Sequence, residues 1–143
     1  MKDYNGKLQY KNREYKLVFN LNVMEKVQEE YGTLDYWGSL TDGSAYGQRA
    51  YEKLGLKKPW DDLTSKEKEK YGGEPDAKAV IFGFTEMINE GIDIDNEENG
   101  TNLPFMTQKQ VGRMITDIGI SSATEKLNQT VIDSTKNDDE KNE

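Results

Sequence analysis

Residues 14–32, EYKLVFNLNVMEKVQEEYG, contain the change of period that decides the fold. Tyr15, Leu17 and Phe19 fall two apart, so all three project from one face of a strand, while Lys16, Val18 and Asn20 share the other. Val23, Met24, Val27 and Tyr31 then recur at helical spacing, with Lys26, Glu29 and Glu30 outside the stripe. Asn22 stands three positions before Glu25 in a capping pattern, which places the helix start at Asn22. Gly32 suits the left-handed position after the last turn. A half-buried strand therefore runs straight into a capped amphipathic helix.

Upstream, Lys7, Leu8, Gln9 and Tyr10 alternate in the same way, and Lys11, Asn12 and Arg13 can turn the chain back on itself. Asn tolerates positive φ better than most residues, so the start of the chain is expected to be a β-hairpin. Downstream, residues 33–74 change character, with Gly, Ser, Asp and Lys interspersed among aromatics and no sustained period. This stretch is expected to be a polar, aromatic insert holding two short helices, one around Tyr46, Ala50 and Leu54 and one opened by the capping-box pattern Thr64, Ser65, Lys66, Glu67.

Pro75 and Asp76 open the most apolar segment, in which Val80, Ile81, Phe84, Met87 and Ile88 cover a wide helical arc that ends at Gly91. Gly83 inside this helix costs about 1 kcal/mol relative to Ala, which suggests that another element packs closely there. An acidic loop follows, then a helix capped by Thr107 and Gln110 with Val111, Met114, Ile115 and Ile118 on one face, ending at Gly119. A last helix is expected from the Ser122 and Glu125 capping pair, with Ala123, Leu127 and Val131 as its stripe. The assignment is one α+β domain over residues 1–135, a two-stranded hairpin packed with about four helices, with 136–143 as a disordered acidic tail.

Composition closes off many functions. With 19 basic and 27 acidic residues the formal charge is −8, which disfavours phosphate backbones and anionic lipid as partners. The chain has no Cys and no His, so disulfides, thiolate metal sites and His-based triads are excluded. Neither GxxxxGK[ST] nor GxGxxG occurs. Asp61 and Asp62 are adjacent, so their side chains diverge on any regular element. No enzymatic activity and no cofactor is expected. No run approaches the roughly 20 apolar residues of a membrane span, and a soluble, cytoplasmic protein is expected.

Two candidate sites stand out. Counting from Asp95, the run DNEENG puts oxygen ligands at positions one, three and five and Gly100 at six, as a calcium loop would. Met106 falls where a bidentate Glu should close that loop, so a solvated acidic loop is the preferred reading and no metal is assigned. The aromatics of the insert are the other candidate. Tyr36, Trp37, Tyr46, Tyr51 and Trp60 combine large contact area with polar edges, as protein interfaces do, although Trp37 and Trp60 would serve equally well as satellite core.

EYKLVFNLNVMEKVQEEYG, the helix KAVIFGFTEMINEG and the later FMTQKQVGRMITDIG, taken in that order, resemble the tail assembly chaperones of long-tailed phages and prophages of Gram-positive bacteria. The match lies in a Tyr15, Leu17, Phe19 alternation, then Asn20, then a helix ending at Tyr31 and Gly32, and in the order of the elements after it. The long Gly-rich insert departs from the family pattern. The resemblance implies a non-enzymatic protein of the host cytoplasm that binds the tape measure protein and helps recruit tail tube subunits. A structural tail component and an acidic DNA-mimic inhibitor are the alternatives, and self-association is left open.

Overall fold

The computed structural model describes residues 6–42, 64–66 and 75–141. Over these residues the chain is α+β, a two-stranded antiparallel hairpin followed by five helices. Strand β1 (Gly6–Tyr10) pairs with β2 (Arg13–Leu17) in the register Leu8 opposite Tyr15 and Tyr10 opposite Arg13. The turn is the pair Lys11 and Asn12, both at positive φ (47° and 65°), the geometry whose twist matches that of the flanking strands. Leu8, Tyr15 and Leu17 point inward and Phe19 continues their face, as the alternation requires.

Helix α1 (Leu21–Tyr31) begins two residues earlier than the Asn22 cap implies. Asn20 is the cap, accepting from the Val23 amide at 3.3 Å, and its own carbonyl takes the Met24 amide at 2.9 Å. The first turn is thereby satisfied from the strand end, and Asn22 is released to donate to Glu90 at 2.8 Å. Gly32 closes the helix at φ 87°.

Helix α2 (Leu34–Asp42) occupies the first part of the stretch read as a polar insert, and it contributes Trp37, Leu40 and Thr41 to the buried interior. The rest of that stretch, including both short helices beyond isolated helical residues at Ser65 and Lys66, lies outside the described residues.

Helix α3 (Ala77–Asn99), capped by Asp76, is the axis of the fold. It runs two turns past Gly91, the expected end, and stops at Gly100 in the left-handed conformation. Gly91 is instead a contact point: a Cβ there would stand 2.7 Å from the Lys16 carbonyl oxygen of β2. Gly83 is a second one, where a Cβ would meet the Trp37 ring at 2.5 Å, so the close packing inferred from that glycine is present. Val80, Phe84, Met87 and Ile88 are fully buried along the same helix.

Residues 101–107 return along α3 in extended form, held by two asparagines on its surface. Asn96 accepts from the Leu103 amide and donates to its carbonyl (2.9 and 3.1 Å), and Asn89 does the same for Met106 (2.8 and 2.9 Å). The two amides are seven residues apart, two helical turns, so they lie on one face and act as rungs to which the strap is fastened.

Helix α4 (Gln108–Ile118) carries the reciprocal capping box of Thr107 and Gln110 and ends at Gly119, both as its sequence indicates. Gly119 then takes a double role. Its amide closes α4 on Ile115, and its carbonyl accepts the Ala123 amide to start α5 (Ile120–Lys141). The Ser122 cap is therefore superseded, because the single glycine of the corner already satisfies the new helix. Helix α5 continues to Lys141, through most of the stretch expected to be a disordered tail; Lys, Asp and Glu there offer no Gly or Pro to stop a helix already nucleated by packing.

Candidate interaction surface

The expected α5 stripe of Ala123, Leu127 and Val131 faces the core, with Val131 only partly buried, and Thr130 and Ser134 join it as buried hydroxyls. Two hydroxyls take core positions because each finds a backbone acceptor: Thr130 bonds the Lys126 carbonyl at 2.9 Å and Ser134 the Phe19 carbonyl at 2.7 Å. This leaves Ile132 and part of Val131 at the side, beside α1 and α2. There they complete a groove of about 750 Å³ lined by Phe19, Met24, Leu34, Trp37, Val131 and Ile132. Asp35 and Asn128 lie among its polar members, and Ile132 stands 58% exposed.

Trp37 forms the groove floor and is itself core, at 2% exposure. Its ring stacks on Phe19 with centroids 6.0 Å apart and planes 4° from parallel, and its indole N–H donates to the Ala79 carbonyl at 3.1 Å. Of the two readings open for Trp37, satellite core is the one this position matches. Tyr36, next in sequence, points outward and is half exposed. The structure thus separates these two neighbours, as helical geometry must. Tyr46, Tyr51 and Trp60 lie outside the described residues, as do Asp61 and Asp62.

The acidic run at Asp95 is helix rather than loop, so its side chains fan around α3 and cannot converge as a calcium loop does. Asp95 pairs with Lys16 at 2.6 Å, and Asn96 is engaged by the strap. Among the described residues no group of three acidic side chains could hold a metal ion.

Several titrating groups are perturbed. Burial raises the Glu86 carboxyl above the usual range, against the opposing pull of Lys26. Burial pushes the Tyr31 phenol up to about 12, and its hydroxyl is enclosed without a partner while its ring meets Phe82 edge-on. The Tyr10 phenol is raised chiefly by the hydrogen bond it donates to Asp117.

Leu34 and Ile132 were not singled out from the sequence, and Met24 was expected only as part of the α1 stripe. The signal available was that Ile132 falls outside every stripe its helix could bury, a large apolar side chain with no expected partner. No family model, curated protein or solved structure matches this chain. No described helix is long and apolar enough to cross a membrane.

Proposed function

We propose that this protein is a non-enzymatic tail assembly chaperone of a long-tailed phage or prophage, which binds the tape measure protein during tail morphogenesis and helps bring tail tube subunits to it. The observation that carries the reading is the open apolar groove between α1, α2 and α5. An apolar groove is the kind of surface that receives the apolar face of an amphipathic helix, and a tape measure protein is a long helical client that needs such faces covered before assembly. A chaperone also has to stay dissolved with its client, and a −8 chain repels its own copies at long range. The hairpin, the Asn20-capped helix, the long apolar helix and the Thr107-capped helix follow in the order of the family resemblance, although α3 runs on through the expected Asn-Glu-Gly end and the acidic run that was expected to be a loop.

Co-expression with the tape measure protein encoded nearby tests this. A soluble complex is expected, and Ile132→Glu, which places a charge at the exposed rim, should abolish co-purification while leaving the melting temperature within about 2 °C of wild type. Trp37→Ala should behave in the opposite way to a surface change, lowering stability by about 3–5 kcal/mol through the core. If the client stays insoluble and unbound beside the wild-type chain, the chaperone reading fails. Finding the protein in purified virions in stoichiometric amounts would instead make it a tail component.

A further inference from the structure

Phe105 lies on the strap that Asn89 and Asn96 fasten to α3, and it is 55% exposed, with Leu103 beside it at 45%. Large apolar side chains on a loop ordinarily fold back; here paired amide bonds on either side hold them out. Phe105 is also the shared wall of two hollows of opposite charge. On one side, about 200 Å³ is bordered by Glu86, Glu90 and Asp93, with Lys26 as the one cation. On the other, about 380 Å³ is bordered by Lys11, Arg13 and Arg113 with Tyr10 and Tyr15, and no carboxylate among the described residues lines it. Lys11 and Arg13 rest over the Tyr10 and Tyr15 rings at 5.4 and 4.6 Å, and no ion pair among the described residues involves Lys11, Arg13 or Arg113.

A surface with an apolar ridge between an acidic and a basic hollow is complementary to itself. A two-fold axis lying in the contact plane at Phe105, perpendicular to the line joining the hollows, carries each acidic hollow onto the basic hollow of the second copy and brings the two Phe105 rings together. We propose that this face is an isologous interface between two copies of the chain, with Phe105 and Leu103 at its centre and the Asp93 and Arg113 sides meeting twice by symmetry. Asp117 is the nearby acid and is engaged by the Tyr10 hydroxyl, so Lys11, Arg13 and Arg113 are left to face an acidic surface across an interface, and the chain carries a matching acidic hollow bordered by the same Phe105. The interface is remote in sequence from the Ile132 groove, and it stands or falls independently of the proposed function.

Sedimentation velocity on the full chain from 5 to about 500 µM tests it at about 0.15 M salt, where the long-range self-repulsion of a −8 chain is screened and close charge pairs still act. A monomer–dimer equilibrium is expected, weakening as salt is raised. Phe105→Asp should leave a monomer with an unchanged circular dichroism spectrum. Asp93→Arg and Arg113→Asp should each raise the dissociation constant about tenfold or more, because one attraction becomes a repulsion at both symmetry-related contacts. Mixing the two variants should restore a heterodimer, since each then meets its charge complement at both contacts. A wild-type chain that stays monomeric throughout overturns the proposal, and so does a dimer that none of these substitutions weakens. A monomer whose basic hollow binds a poly-glutamate peptide in an Arg113-dependent way would also overturn it, assigning the face to a different acidic partner.

Discussion

Adding one methyl group at three glycines should move stability in two directions, and the sign is set by what each helix touches. In a helix interior, Gly→Ala is worth about 0.5–1 kcal/mol through backbone entropy when the space is open. At Gly112 in α4 the nearest described atom to a new Cβ is the Ile81 Cδ1 at 3.5 Å, ordinary contact, so Gly112→Ala should stabilise by about that amount. At Gly91 the new Cβ falls 2.7 Å from the Lys16 carbonyl oxygen and 3.1 Å from its Cβ, both parts of a strand that cannot rotate away. Relief requires β2 to move off α3, against the Val18 amide bond to the Met87 carbonyl and the Lys16–Asp95 pair. At Gly83 the Cβ meets Trp37 at 2.5 Å, a ring pinned by its stack on Phe19 and its bond to Ala79. Overpacking of this kind costs about 1–3 kcal/mol, more than the entropic gain, so Gly83→Ala and Gly91→Ala should each destabilise by about 1–2 kcal/mol. Urea denaturation read by circular dichroism gives the three values, and thermal melts should spread by about 4 °C per kcal/mol. If Gly83→Ala and Gly91→Ala stabilise as much as Gly112→Ala, the close approaches of α3 to Trp37 and β2 are wrong.

Asn20→Ala should cost about 1 kcal/mol by removing the α1 cap, whereas Asn22→Ala, which loses only a bond to Glu90, should cost less; equal losses in urea denaturation, or a larger one at Asn22, would return the cap to Asn22. Tyr31→Phe should be neutral or stabilising at pH 7, because it removes an enclosed hydroxyl without a partner. The wild-type phenol is raised to about 12 from 10.0, so the folded state favours the protonated form; the stability this contributes is complete below pH 10 and is lost as pH rises toward 12. The alkaline loss measured by denaturation between pH 10 and 12 should therefore be shallower in Tyr31→Phe than in wild type, and identical slopes would refute the assignment.

The parts of the fold legible in the sequence are those where one local signal had no competitor. Alternation at Tyr15, Leu17 and Phe19 gave the strand face, and Thr107 with Gln110 gave the α4 start to the residue. The errors occur where two local signals competed. Asn20 and Asn22 both make good caps; Glu90, 68 residues beyond Asn22, accepts from both side-chain amides, and the Asn20 carbonyl oxygen is the one that takes the Val23 amide. Gly91 reads as a helix end by propensity, but its missing side chain serves β2, and the stop is supplied by Gly100 instead. Ser122 has the right spacing for a cap, yet Gly119 had already started the helix. At Gly91 a tertiary contact overrides a propensity worth only a few tenths to about one kcal/mol, while at Ser122 an earlier local bond wins.

The candidate surfaces were harder to read because each depends on residues whose chemistry contradicts their position. Thr130 and Ser134 are buried although polar, since backbone carbonyls accept their hydroxyls, and this leaves Ile132 and part of Val131 to the groove. Phe105 is exposed although aromatic, since Asn89 and Asn96 pin the backbone around it. In both places a side chain that is unremarkable in sequence, a hydroxyl or an amide, satisfies backbone groups and so frees an apolar neighbour from the core. Hydrophobic periodicity assigns apolar residues inward by default, so it is blind to this exchange. The Asp95 run shows the reverse: acids grouped in sequence are dispersed around a helix, and the acidic hollow is assembled instead from Glu86, Glu90 and Asp93, at helical spacings of three and four. Charge that matters for recognition is gathered by the helix period, so a search for partner surfaces in such a chain should follow residues three and four apart, together with the polar side chains that free apolar ones.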